Sequence, residues 1–242
     1  EREEDWKKEV LIDFFENIEK YFNSHYYYGL TDILFETIEL YKEDKELFEN
    51  YIGKALYFDS FRLDRNYKSF RPEYILKALA YYPNEERLLS SYPPVFTYNE
   101  KDFISLIQEG YLPREATLVT ILEQLLKPLK TSFMSSWNKI YSSMEVSDAE
   151  ILKFHDFYLN LLNASSPTSI QIGLEAIKKI LTQINTKKET LVSTLSFNLN
   201  NSVQKVAKES FNLLKLLYKQ DKELSNFILE NLINNITIPH KN

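Results

Sequence analysis

"NNSVQKVAKESFNLLKLLYKQDKEL", residues 200–224, decides the fold. Its apolar residues recur at three- and four-residue steps from Val203 to Leu217, the period of a helix with one buried face. Asn and Ser stand before that stripe, where side-chain oxygens accept hydrogen bonds from the N–H groups of a first turn. The tail "LYKQDKEL" (217–224) recurs almost letter for letter as "LYKEDKEL" (40–47). In both copies "LYK" is expected to close the second helix of a hairpin. Asp44 or Asp221 then caps the next helix, and Leu47 or Leu224 is its first buried leucine. The copies lie 177 residues apart, which fits about five units averaging slightly over 35 residues.

Outward from this stretch, further start signals divide the last hundred residues. Ser147 with Glu150, and Thr186 with Glu189, have capping-box spacing. Ser166 precedes Pro167, a proline suited to the first helical position. Helices are predicted near 148–164, 167–184, 187–199, 202–218 and 221–235. Shifted by 33 residues, these segments agree: Ser169-Ile170-Gln171 meets Ser202-Val203-Gln204, Leu174 meets Ala207, Ile180 meets Leu213, Leu181 meets Leu214 and Ile184 meets Leu217. The first helices recur through Tyr158, Leu191 and Leu224, and through Leu162, Leu195 and Ile228. "YYPNEERLLSSYPPVFTYNE" (81–100) interrupts the pattern with three prolines.

Composition agrees with a helical reading. Only 4 Gly and 8 Pro occur in 242 residues, too little turn chemistry for a many-stranded sheet. Hydrophobic residues at 44% and charged residues at 26% place the chain among globular proteins with a sizeable core. The absence of Cys excludes disulfides, thiolate metal sites and a cysteine nucleophile. No secretory signal or membrane-length apolar run is visible, so a soluble, cytoplasmic protein is expected. The net charge of −6 opposes nucleic acid over the chain as a whole.

Hairpins of this kind bury their apolar faces by stacking on neighbours. The expected fold is therefore all-α: a right-handed superhelical solenoid of antiparallel helical hairpins with about a dozen helices. One α-helical repeat domain is expected over 1–242, with irregular hairpins in 1–100 and more regular ones in 101–242, and the sequence is compatible with a piece of a longer protein. At the C-terminal end, Asn235-Ile236-Thr237 answers Ser202-Val203-Gln204, but Pro239 stands where a helix interior should run. The last unit is then either a closing half-unit or part of a longer array.

"LSFNLNNSVQKVAKESFNLLKLL" (195–217) resembles a HEAT repeat, although HEAT turns often carry Asp and Arg where Asn201 and Gln204 stand. Ankyrin and tetratricopeptide periods are closer in length, but their signatures are missing. Over residues 101–224, "GYLPREATLVTILEQLLKPLKTSFMSSWNKIYSSMEVSDAEILKFHDFYLNLLNASSP" and the two matched repeats resemble a bacterial family of HEAT-like domains of unknown function, of the domain of unknown function 6493 type. That resemblance implies a fold and no active site.

Chemistry-bearing motifs are few. His25, His155 and His240 are far apart, and no metal site or cofactor is expected. Gly29, Gly53, Gly110 and Gly173 form no phosphate loop. The acidic runs read as solvated helix faces. The strongest basic patch is "SFRLDRNYKSFRPEY", where Arg62, Arg65, Lys68 and Arg71 alternate with Phe61, Tyr67 and Phe70, the pairing that phosphate binding and base stacking use. The competing reading makes it an inter-helix connection whose arginines pair with acids. Tyrosine-rich 21–30 and 81–98 suit either an interface or the core. Gln171 and Gln204 fall at equivalent places near the starts of second helices and are candidates for a polar ladder along a groove. The function expected is a non-catalytic protein-interaction or scaffolding module with a protein or peptide partner on a concave helical face. The alternative is a HEAT-like nucleic-acid-binding protein or DNA glycosylase using the Arg62–Arg71 segment, with Trp6 and Trp137.

Overall fold

The structure, a computed structural model, describes residues 2–21, 29–58, 71–81, 100–129, 131–183 and 188–235. Among them every regular element is a helix, and none of these helices is long and apolar enough to cross a membrane. The chain divides into two compact units, Glu1–Ile121 and Leu122–Asn242.

The first unit contains α1 (Arg2–Glu16), the short α2 (Ile18–Tyr21), α3 (Leu30–Leu40), a 3-10 turn (Lys42–Asp44), α4 (Lys45–Glu49), α5 (Ile52–Phe58), α6 (Pro72–Ala80) and α7 (Glu100–Gln108). α3 packs on α4 and α5, and α5 packs on α6. The core holds Phe15, Leu34, Phe48, Ile52, Leu56 and Ile75. α5 and α6 approach so closely at Gly53 that an added Cβ would collide with the Lys77 carbonyl.

One device joins these short helices twice. The last carbonyls of a helix have no partner inside it. Lys54 Nζ donates to the Glu16 carbonyl at 2.8 Å, and the Tyr51 hydroxyl donates to the Glu16 carboxylate at 3.2 Å. Three residues apart in the same way, Lys77 Nζ donates to the Glu49 carbonyl at 3.0 Å and the Tyr74 hydroxyl to the Glu49 carboxylate at 3.3 Å. Burial and the Glu16 hydrogen bond push the Tyr51 phenol up to about 12. Both acceptors belong to a Phe-Glu-Asn triplet, Phe15-Glu16-Asn17 and Phe48-Glu49-Asn50, with the same offset of 33 seen near the C-terminus.

α8 (Arg114–Leu126) leads into the second unit, which continues through α9 (Thr131–Ser143), α10 (Asp148–Lys153), α11 (His155–Leu161) and α12 (Pro167–Ile180). α13 (Lys188–Phe197) runs into a 3-10 turn (Asn198–Asn200) and is followed by α14 (Gln204–Gln220) and α15 (Ser225–Asn235). The Ser147–Glu150 capping box forms, with the Ser147 N–H donating to Glu150 Oε2 at 2.9 Å and the Glu150 N–H to Ser147 Oγ at 3.3 Å. Pro167 opens α12, but the Ser166 side chain makes no cap bond. Thr186 lies outside the described residues. The helix expected over 148–164 is broken at Phe154 (φ −105°, ψ 24°), which separates α10 from α11.

Packing follows the repeat. α12 packs on α14, and α13 on α15, so elements of like rank in successive hairpins lie side by side. Burial follows the 33-residue register in part: Ile180 and Leu213, Leu181 and Leu214, and also Gly173 and Val206, Ile177 and Ser210, are buried. Leu174 is buried but Ala207 only half-buried, and Ile184, the counterpart of buried Leu217, lies outside the described residues. So are Tyr158, Leu191 and Leu224, and Leu162, Leu195 and Ile228. The Ser169–Ser202 equivalence fails, because Ser169 is buried inside α12 while Ser202 is exposed ahead of α14. Ser169 Oγ donates to the Leu125 carbonyl at 2.6 Å, near the end of α8, and Asn198 Nδ2 donates to the Leu162 carbonyl at 2.8 Å, at the end of α11. Asn200 Nδ2 donates to the Asn235 carbonyl. Side chains of one hairpin thus satisfy the terminal carbonyls of another.

Candidate functional site

Arg71 is the one member of the Arg62–Arg71 segment among the described residues; Arg62, Arg65 and Lys68 lie outside them. Pro72 at the first position of α6 disfavours helical backbone in the residue before it, and Arg71 is extended (φ −63°, ψ 143°). Its guanidinium therefore turns over the Tyr74 ring, 5.5 Å from the centroid. Tyr74 stacks on Phe35 with ring centroids 5.8 Å apart. These groups, with Ile38, Glu39, Lys42 and Lys45, line a cleft of about 520 Å³ in the first unit.

The cleft has three cations at its rim and two aromatic rings in its wall. Each cation already faces a carboxylate: Lys42 and Glu39 at 3.5 Å, Lys45 and Glu49 at 3.6 Å, Arg71 and Glu73 at 3.7 Å. Burial raises the Tyr74 phenol, and the neighbouring Arg71 charge opposes that shift. This arrangement suits a weakly held anion with a flat apolar part. Among the described residues no three His, Cys, Asp or Glu side chains are grouped to hold a metal ion. His155 is half-buried, with Nδ1 at 3.1 Å from the Leu152 carbonyl. His25 and His240 lie outside the described residues, as does most of the tyrosine-rich 21–30 and 81–98. Trp137 is buried and Trp6 exposed.

Gln171 and Gln204 sit on α12 and α14, which pack against each other. Gln171 is half-exposed in the second turn of α12, and Gln204 is the exposed first residue of α14. Other exposed residues lie on the same two helices. Lys178, Lys179, Lys205, Lys208, Lys215 and Lys219 are all exposed on the two helices, together with Phe211 and Tyr218. Lys205 bridges the helices to Glu175 at 3.8 Å. The sequence signal was present in the polar positions of α14: Lys208, Phe211, Lys215 and Tyr218 follow one another at three- and four-residue steps, hence on one side of the helix.

Charge is divided between the two units. Residues 1–121 carry 24 acidic and 15 basic side chains, net −9, and residues 122–242 carry 11 acidic and 14 basic ones, net +3. The overall −6 therefore conceals a basic second unit, and long-range fields act locally because screening sets in within about 10 Å at ordinary salt. A further cleft of about 390 Å³ lies between α11 and α13, lined by Asn160, Asn163, Thr190 and Thr194 among others.

Comparison with curated proteins and with solved structures finds no match. A family model does match: it is described as "Domain of unknown function (DUF6493)" and covers residues 70–205, which include α6 to α13 and the first residues of α14. That span is more than half of the chain, and the protein belongs to this family of domains of unknown function.

Proposed function

We propose that the chain is a non-catalytic interaction or scaffolding module, a HEAT-like right-handed solenoid whose second helices form a concave binding surface. The observation that carries this reading is the side-by-side packing of α12 on α14 and of α13 on α15 in one burial register. Stacked hairpins of that kind make extended surfaces suited to a protein or peptide partner. Gln171, Gln204 and the surrounding lysines supply its polar part. The test is cross-linking mass spectrometry on the full-length protein in its native host. Reproducible cross-links from one partner to Lys178, Lys179, Lys208 or Lys215 are expected. Absence of any recurrent partner removes the reading.

A second reading rests on a specific observation, the Arg71 guanidinium over Tyr74 beside Lys42 and Lys45. It makes the chain a HEAT-like nucleic-acid-binding protein or DNA glycosylase. Duplex binding through several cation–phosphate contacts weakens steeply with salt. A salt-dependent mobility shift that Arg71→Ala diminishes would favour this reading, and a flat result at low salt ends it.

A further inference from the structure

We infer that α14 docks an acidic amphipathic helix of a protein partner along the side that carries Phe211 and Tyr218. The inference deepens the interaction-module reading by naming the partner's chemistry, and it rests on that reading.

Phe211 and Tyr218 are seven residues apart, and Ala207 and Leu214 interleave with them at four- and three-residue steps. This is the a/d spacing of a helix that packs along another helix. Leu214 is buried and Ala207 half-buried, whereas Phe211 is 49% and Tyr218 43% exposed. The seam is thus begun by the fold and left open at its two aromatics. Aromatic rings in such positions bury large areas when covered and act as anchors of binding surfaces.

Lys208 and Lys215 border the seam at the same seven-residue spacing, and Lys219 follows on the adjoining exposed strip. Among the described residues no carboxylate lies within ion-pair distance of Lys208, Lys215 or Lys219. Positions flanking an a/d seam select partner helices by charge, and lysines there call for glutamates opposite. The row from Lys208 to Lys219 extends roughly 16 Å along the helix, about three turns. The second unit's net +3 adds an attractive field for such a segment.

The same features favour a helix over nucleic acid. No arginine lies on α14, so the planar fork that grips phosphate in pairs is missing. The exposed aromatics form part of a helix-packing stripe, the geometry that side-chain knobs of a second helix fill.

The test uses the full chain and a fluorescein-labelled 21-residue peptide of three heptads, with Leu at the a and d positions and Glu at the flanking ones. Repulsion between the glutamates keeps this peptide from pairing with itself at neutral pH. Fluorescence anisotropy at low and high salt is compared with that of a Lys-flanked twin and of DNA 21-mers, single-stranded and duplex. Binding of the Glu peptide, weakened by salt, is expected, with none of the Lys twin. Phe211→Ala with Tyr218→Ala should weaken it by about tenfold or more. The triple variant Lys208→Glu, Lys215→Glu, Lys219→Glu should reverse the preference and bind the Lys twin, a gain that loss of folding cannot imitate. No binding of the Glu peptide, equal binding by the triple variant, or tighter binding of DNA overturns the inference. If that happens while cross-links still map a partner to other positions, the module reading stands and the α14 seam alone is lost. If no partner is cross-linked at all, the module reading goes with it.

Discussion

The two near-identical octamers, at 40–47 and 217–224, sit in unlike surroundings. Leu40 is 73% exposed at the end of α3, whereas Leu217 is 3% exposed inside α14. Leu47 is 36% exposed and Leu224 only 9%, so the expectation of a first buried leucine holds in the second copy and fails in the first. The polar part is alike. Asp44 accepts from Lys8 of α1, and Asp221 accepts from Lys188 of α13 at 2.8 Å, so each aspartate ties the junction to a helix that begins more than thirty residues earlier. Asp221 also accepts from the Glu223 and Leu224 N–H groups, a side-chain cap that Asp44 does not make. Identical letters thus preserve a junction's charge pairing, while the neighbours decide which leucine is covered. The repeat itself rests more firmly on the burial register of α12 and α14 than on the octamers.

The sharpest way to break this comparison is a pair of truncations. Leu217→Ala should cost about 2–5 kcal/mol, since it empties a packed site, and Leu40→Ala should stay within about 0.5 kcal/mol. Urea unfolding of both variants measures the difference, and equal losses would mean that the first octamer is also buried. A second test copies one repeat into the other. Gly173→Val installs the residue found at the matching position of α14, but a Cβ there already meets Leu162 Cδ2 and the Tyr158 carbonyl at 3.0 Å. Overpacking should cost about 1–3 kcal/mol. Asn198→Ala strips the Leu162 carbonyl of its partner and should cost a similar ~1–3 kcal/mol.

Three buried serines refine the comparison further. Ser169→Ala loses the bond to Leu125 and should destabilise by about 1 kcal/mol. The Ser196 and Ser210 hydroxyls are buried among the described residues with no hydrogen-bond partner. Ser210→Ala should therefore stabilise, by up to about 1 kcal/mol. The smallest effect expected is on acid stability. The hydrogen bond from Lys188 is the main reason that the Asp221 carboxyl titrates below its usual 3.8. A depressed carboxylate stabilises fully above the unfolded-state value, and that contribution is lost as pH falls through the lowered folded-state value. Asp221→Asn should be less stable than the parent at pH 7, and the gap should close below about pH 4. A gap that persists into strong acid would mean that the carboxylate's charge is not what matters.

Much of the second unit was legible because its signals are local. The Ser147–Glu150 box, Pro167 at the start of α12 and the three- and four-residue steps between apolar positions depend on neighbours within a turn or two, and the 33-residue recurrence is read by laying these local patterns over each other. The first unit was harder, since its helices are short and the Tyr-x-x-Lys junctions act across 25 to 38 residues. The matching Phe-Glu-Asn triplets were a usable signal that only became meaningful once their bonding partners were seen. At the candidate surfaces, Arg71, its pairing with an acid and the two glutamines could be named from sequence, but which acid Arg71 meets and the exposure of Phe211 could not. Periodicity tells which side of a helix is apolar, and it does not tell how much of that side a neighbour covers.

What the sequence determined by itself was the helical class, the hairpin repeat and its period, because capping, periodicity and the scarcity of glycine act along the chain. Tertiary structure alone decided which leucine of the octamer is buried, which carbonyl each distant lysine or asparagine satisfies, and that Lys205 of α14 reaches Glu175 of α12. Burial and pairing depend on which helices come to lie side by side, and that contact is made between residues far apart in the chain.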